Sequence, residues 1–271
     1  MTLTQVVVLG VIEGLTEYLP VSSTGHLILA QRAMGLEKSN AADAYAICIQ
    51  AGAIGAVLML YFGRVRQMFR SFLGLDKQGS KIAVNIFVAF LPAAVLGLLF
   101  KGTIEDFLFG VKPIVAAWFV GGLVILAVAR WQKRSSHSGY GLEDLTWKMA
   151  LIIGLAQSLA LWPGTSRSLA TIVCGVLVGL SLPAAVEFSF LLGMITLSAA
   201  SAYKGLEHGS EMVQVYGWTH LTLGFAIATV SALVAVKWMV AYLNRHSLAI
   251  FGYYRLLLGV VVGALVVKGV L

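Results

Sequence analysis

The sequence predicts an all-α polytopic membrane protein with six transmembrane helices plus two re-entrant helical hairpins in an inverted-topology repeat. Three observations carry that expectation. Hydrophobic residues make up 59% of the chain, charged residues 11%, and mean hydropathy is +0.89. Soluble domains run at roughly 45–50% apolar and about 25% charged, so a water-soluble globule would expose too much apolar surface. Six apolar segments are long enough to cross a bilayer, which takes about 20 residues each. Two further apolar segments are broken by proline and hydroxyl-rich loops at corresponding places in the two halves of the chain. That pattern marks a midplane site in inverted-repeat folds.

The opening, Met1-Thr2-Leu3-Thr4-Gln5, has no positive stretch, and no small-residue cleavage site follows a short apolar core. The first segment is therefore expected to stay in the mature protein. Residues 5–36 form the first broken segment, interrupted by Glu13, Glu17, Pro20 and the run Ser22-Ser23-Thr24-Gly25-His26. Spans are expected at 44–62, 82–100 and 113–130. Residues 148–180 form the second broken segment, interrupted by Gln157, Pro163 and Gly164-Thr165-Ser166-Arg167-Ser168. The remaining spans fall at 184–203, 219–236 and 251–270. Proline removes a donor and clashes with the preceding turn. Irregular backbone at membrane depth survives only where protein buries it or it lines a cavity. Each broken segment thus reads as a hairpin, and the chain as one membrane domain, 1–271, with half-repeats 1–147 and 148–271.

Loop charge supplies the orientation. Residues 64–81 read as a loop with Arg64, Arg66, Arg70, Lys77 and Lys81 against Asp76. Residues 130–148 carry Arg130, Lys133, Arg134 and Lys148, and the turn at 237–246 carries Lys237 and Arg245. By contrast, 101–112 and 204–218 balance lysine with Glu105, Asp106, Glu207 and Glu211. The positive-inside rule puts the first group in the cytoplasm and the second outside. Three crossings between the hairpins place them on opposite faces, the first dipping in from outside and the second from the cytoplasm. The formal charge of +7 is spread over these loops, which argues against a nucleic-acid partner. Cys48 and Cys174 lie within apolar runs and read as small hydrophobes. The halves align weakly: Gly10 with Gly154, Glu13 with Gln157, Leu15 with Leu159. After a one-residue gap, Pro20 meets Pro163, Ser22 meets Thr165 and Ser23 meets Ser166.

Glu13 and Glu17 are four residues apart, so on a helix they share a face. Carboxylates inside a membrane segment are expensive and point to function. Two together either share a proton or hold a cation, and a divalent cation bound by carboxylates and substrate phosphate suits phosphoryl chemistry. The bland alternative is a pair snorkelling to the surface or neutralised by Arg32. Ser22, Ser23, Thr24 and Gly25 read as the cap of a second helix, where hydroxyls and free N–H groups make an anion site. Gly164, Thr165, Ser166 and Ser168 repeat that loop, with Arg167 adding a guanidinium fork that matches phosphate oxygens. His26 is a candidate base, acid or nucleophile, with Ser22, Ser23 and Thr24 as alternative nucleophiles. Gln157 either lines the cavity or bonds across helices. Glu187 and Arg255 pair with each other or with the site. The rival class is a secondary transporter, which also uses broken helices at midplane. The carboxylate pair and His26 favour catalysis.

These residues also carry a resemblance. The stretch from Glu13 to Leu27, Glu-Gly-Leu-Thr-Glu-Tyr-Leu-Pro-Val-Ser-Ser-Thr-Gly-His-Leu, is similar to the signature of the undecaprenyl-diphosphate phosphatases of the bacitracin-resistance type. Leu159 to Ser168 resembles their second signature and Glu187 to Leu192 a third. The resemblance implies a multi-pass enzyme of the bacterial inner membrane that removes the terminal phosphate of undecaprenyl diphosphate. The product would be the carrier used in peptidoglycan synthesis, and extra enzyme would confer bacitracin resistance. It implies a divalent cation, Mg²⁺ or Ca²⁺, and a site facing the periplasmic side. Catalytic roles then fall on Glu13, Glu17, Ser23, His26 and Arg167, with Glu13 and Glu17 as metal ligands. Ser22, Thr24, Gly25, Gly164, Thr165, Ser166 and Ser168 would bind substrate. Partners would be the polyprenyl diphosphate and membrane lipids, and a homodimer stays open. Three places depart from the family pattern: Leu169 where glycine is expected, Ala46 where an acid is usual, and Gly193-Met194-Ile195-Thr196 without an expected proline. Bulk at Leu169 is expected to narrow the pocket or alter substrate preference.

Overall fold

Capping chemistry sets most helix starts in this chain. The structure is a computed structural model that describes residues 1–36, 40–100, 102, 110–134 and 139–269. Helix α1 (Leu3–Thr16) opens with a capping box, Thr2 and Gln5 each accepting from the other's backbone N–H. A turn containing Pro20 leads to α2 (Ser23–Ala33). Then follow α3 (Asn40–Leu60), α4 (Phe62–Phe72), α5 (Lys77–Leu99) and α6 (Val111–Arg134). Asp76 caps α5 by accepting from the Gly79 N–H at 2.8 Å. In the second half, Thr146 caps α7 (Trp147–Gln157), a 3₁₀ turn covers Ser158–Leu161, and α8 (Arg167–Leu177) follows Pro163. Helix α9 (Leu182–Leu243) starts on the Ser181 cap with Pro183 in its first turn, and α10 (Ala249–Val267) ends the fold.

Among the described residues the chain is all-helical, apart from one isolated bridge between Tyr140 and Leu180. Helices α5, α6, α9 and α10 are long and apolar enough to cross a membrane, and the bent pair α3–α4 makes up to five. Only 28% of the apolar window of α5 is buried within the protein. Phe87, Leu98, Val120, Leu123, Val230 and Leu257 all point outward. An apolar exterior on this scale is stable against lipid, not water. Helix α9 covers two expected spans, but its backbone leaves helical geometry at Gly217 (φ 68°, ψ 159°). Residues 64–81, read as a loop, are instead α4 and the first turn of α5, and α4 turns 81° away from α3. The acidic residues Glu105 and Asp106 lie outside the described residues.

The two broken segments pack against helices distant in sequence. Helix α1 packs on the later part of α9, and α7 packs on α5. A side chain on Gly14 would overlap the Ala228 carbonyl, and one on Gly154 would overlap the Ala89 carbonyl. Glycine is needed at both because the backbones touch. The largest buried cluster gathers Tyr18, Val21, Ile86, Ile153, Ile172 and Phe190, directly under the two hairpin loops.

Candidate active site

Each hairpin loop ends in a serine with unusual backbone. Ser22 and Ser166 both have φ 74°, and they are the only non-glycine residues with positive φ among those described. Such a conformation costs about 1–3 kcal/mol. Each is offset by a cap, since Ser22 Oγ accepts from the Gly25 N–H and Ser166 Oγ from the Leu169 N–H. The structural equivalence is therefore Ser22 with Ser166, in the same register as Gly10 with Gly154 and Glu13 with Gln157. The one-residue gap in the sequence alignment is unnecessary.

The loops converge on Glu17. Ser23 Oγ donates to Glu17 Oε2 at 2.5 Å, and Arg167 Nη2 donates to Glu17 Oε1 at 3.3 Å. Arg167 Nη1 donates to the Ser189 carbonyl at 2.8 Å, and its guanidinium lies 5.2 Å above the Tyr18 ring. Arg167 Nε is buried without a partner among the described residues, which leaves its N–H unspent. Glu13, one turn before Glu17, is 1% exposed and lies within electrostatic reach of both Glu17 and Arg167. Its Oε1 also has no partner. A buried, orphaned carboxylate oxygen beside a second carboxylate and a serine hydroxyl fits a hard divalent cation, which takes oxygen ligands and shares them with phosphate.

The other predicted residues divide into two groups. Ser168 is fully buried and donates to the Leu19 carbonyl at 2.9 Å. A carbonyl only accepts, so the 3.0 Å contact between Ser166 Oγ and Ser168 Oγ is donated by Ser166. Ser168 thus fastens one loop to the other. Gly25 packs against Trp118, with no room for a Cβ. The Gly164 carbonyl is held by Arg255 at 2.8 Å. Thr24 is exposed and Thr165 half-buried, so both remain free to meet a ligand. His26 stands apart from the carboxylates. Its Nδ1 is 2.7 Å from the Ser22 carbonyl and its Nε2 is 2.7 Å from the Tyr254 hydroxyl, with the two ring planes 8° apart. The carbonyl again settles the tautomer: Nδ1 carries the proton, and Nε2 accepts from Tyr254.

The loops are joined by Arg255, which the sequence offered as a partner of Glu187 or of the site. Arg255 is 0% exposed and donates to three carbonyls: Pro20 in the first loop, Gly164 in the second, and Ala117 on α6. Glu187, its proposed partner, instead accepts from Arg64 Nε at 2.7 Å, and Arg64 also pairs with Glu143 at 3.0 Å. The available signal was an arginine in an otherwise apolar run without a nearby acid, which implies carbonyl partners at a backbone break. Gly193 was missed, and a Cβ there would overlap the Arg167 guanidinium. Leu169 is buried in the main cluster. Ala46 packs against the smaller cluster around Val6 and Leu9. Gln157 bonds across helices, donating to the Ala89 carbonyl and accepting from Thr196.

Fold and site together define a multi-pass helical membrane protein with a buried carboxylate–arginine cluster between two broken segments. The family described as Bacitracin resistance protein BacA matches residues 6–261, and the chain belongs to that family. It is 44% identical over 258 residues to an undecaprenyl-diphosphatase of Sorangium cellulosum, covering 94% of this chain and 84% of that one. The undecaprenyl-diphosphatase 2 of Rhodospirillum rubrum is 44% identical over 257 residues, covering 94% and 92%. An undecaprenyl-diphosphatase of Nitrosomonas europaea is 42% identical over 262 residues, covering 96% and 93%.

Proposed function

We propose that this chain is an undecaprenyl-diphosphatase of the bacterial plasma membrane. It hydrolyses undecaprenyl diphosphate to undecaprenyl phosphate and inorganic phosphate, returning the lipid carrier to peptidoglycan synthesis and conferring bacitracin resistance when abundant. The observation that carries the reading is the joining of Glu17 and Ser23 from the first loop with Arg167 from the second. The names and coverage of the relatives support the same substrate.

The architecture we infer has six spans and two re-entrant hairpins, with the site open to the outer side. A 62-residue helix would be about 93 Å long at 1.5 Å per residue, some three times the hydrocarbon core. The break at Gly217 therefore favours two passes. The matched backbone at Ser22 and Ser166 favours an inverted repeat.

In the mechanism, Arg167 binds the terminal phosphate oxygens, helped by Thr24, Thr165 and the free N–H groups at the starts of α2 and α8. Glu13 and Glu17 would hold a divalent cation such as Mg²⁺ or Ca²⁺, which supplies positive charge against the diphosphate. The hydrogen bond that Ser23 donates to Glu17 favours Ser23 as nucleophile, because the carboxylate is placed to take its proton. Its Oγ attacks the terminal phosphorus, its proton passes to Glu17, and undecaprenyl phosphate leaves. Water then attacks the phosphoserine, its proton leaves with the inorganic phosphate, and Glu17 returns its proton to Ser23. His26 is the weaker candidate for the attack itself, because both its ring nitrogens are engaged.

The test is phosphate release from detergent-solubilised protein given undecaprenyl diphosphate, with and without EDTA, for wild type and Arg167→Ala. Cation-dependent release that collapses in the variant is expected. Folded wild type that binds the lipid yet releases nothing with any divalent ion would sink the reading in favour of transport. A trapped phosphoenzyme stable to acid is expected for Ser23, and an acid-labile one would move the attack to His26.

A further inference from the structure

Helix α4 presents three different faces. Val65, Met68 and Ser71 are buried against the rest of the protein. Arg64 points the same way, into the ion pairs with Glu187 and Glu143. The Gln67 backbone lies so close to Gly79 that only glycine fits there, which fixes α4 against the start of α5. The outward face is different in kind. Phe62, Phe69, Phe72 and Leu73 are between 61% and 78% exposed, and the Phe69 and Phe72 rings meet edge to face at 6.4 Å. Arg66 and Arg70, one turn apart, are exposed beside them, and neither forms a salt bridge among the described residues.

Phe62, Arg66, Phe69 and Leu73 follow helical spacing along one ridge, so the arginines border the aromatic strip directly. The 81° turn after α3 lays α4 across the direction of a span. A helix with a bulky apolar strip, flanking arginines and an axis in the membrane plane is built for the headgroup boundary. Exposed arginines at that depth attract anionic headgroups, and their stems reach along apolar surface while the charge stays in the polar layer.

We propose that α4 is a docking surface for anionic phospholipid, with Arg66 and Arg70 holding the headgroup phosphates and the phenylalanines seated among the acyl chains. Lys77, exposed at the start of α5, adds to the same positive edge. The inference rests on the membrane placement alone and stands apart from the phosphatase reading.

The test uses full-length protein with Cys48→Ala and Cys174→Ala, carrying a bimane fluorophore on Phe69→Cys. It is reconstituted in phosphatidylcholine vesicles containing a small fraction of nitroxide-labelled lipid, either phosphatidylglycerol or phosphatidylcholine. Quenching by the phosphatidylglycerol probe should exceed that by the phosphatidylcholine probe roughly fivefold, the ratio that about one near-surface arginine supplies. Arg66→Gln with Arg70→Gln should remove most of that preference, leaving only the share of Lys77, while the fluorophore stays quenched by both. The lysine pair Arg66→Lys with Arg70→Lys should keep the preference. Equal quenching on the arginine-bearing protein, or none by either probe, overturns the proposal. That comparison decides even where the glutamine variant fails to fold.

Discussion

Arg167 and Arg255 look alike in the sequence and do different work in the structure. Arg167 has a carboxylate partner and an aromatic face, the arrangement of a group that will exchange partners with a ligand. Arg167→Ala should lower phosphate release by about 10²–10³-fold, the usual cost of removing a donor aimed at developing charge. Arg167→Lys should recover little, because a point charge cannot reproduce the fork. Gly193→Ala should mimic these losses without unfolding the protein, since the new methyl displaces the guanidinium. Near-normal activity in Gly193→Ala would count against the observed position of Arg167. Arg255 donates from its two terminal nitrogens to three backbone carbonyls and touches no carboxylate among its described bonds, while its Nε, like that of Arg167, is buried without a partner among the described residues. Arg255→Met should therefore act mainly on stability, at about 1–3 kcal/mol per orphaned acceptor. Thermal unfolding in detergent checks it, and a variant as stable as wild type would show that the carbonyls find other donors.

Individual elements depend on close approach and on caps. Gly14 and Gly154 let α1 and α7 touch helices of the opposite half, so Gly14→Leu or Gly154→Leu should pry a hairpin away. Both variants should lose stability and activity together, whereas Gly193→Ala loses activity alone. That contrast is measurable in one set of unfolding and release assays. On the polar side, Glu143 sits below the usual glutamate range, held there first by its own backbone N–H and then by the Arg64 guanidinium. A carboxylate depressed on folding contributes stability that is full above its unfolded pKa, about 4.3. That contribution is lost as pH falls through the lower folded value. Wild type should accordingly lose more of its unfolding midpoint than Glu143→Gln between neutral pH and the acid side of that value. Parallel curves would mean that Arg64 and Glu143 are too solvated to couple to folding. The side chain of Glu143 is 41% exposed, so the effect is expected to be small.

For the whole molecule, the pairing of α1 with α9 and of α7 with α5 means that neither half completes its own hairpin packing. A half-chain of 1–147 or 148–271 should not yield a folded species alone, and co-expression of both should. The proposed orientation is testable by thiol accessibility in a background of Cys48→Ala and Cys174→Ala. A membrane-impermeant maleimide should label Ser210→Cys in intact cells, and Gln78→Cys only after permeabilisation. Labelling of both in intact cells would require the six-span arrangement to be redrawn.

Much of this protein follows from sequence alone, for identifiable reasons. Spans are legible because lipid demands runs of apolar side chains whatever their neighbours. The two breaks, between α1 and α2 and between α7 and α8, are legible because proline and hydroxyl clusters are costly in lipid unless they serve a site. Glu13, Glu17, Ser23 and Arg167 stand out by the same cost. Tertiary structure alone decided what each polar group faces. It gave Ser168 to Leu19, His26 to Tyr254, Glu187 to Arg64 and Arg255 to both loops, and it turned residues 64–72 from a connecting loop into part of a surface helix. Backbone carbonyls carry no sequence signature, and these partners lie up to 235 residues apart. Spacing therefore reveals which groups must be satisfied, and only the folded packing determines by whom.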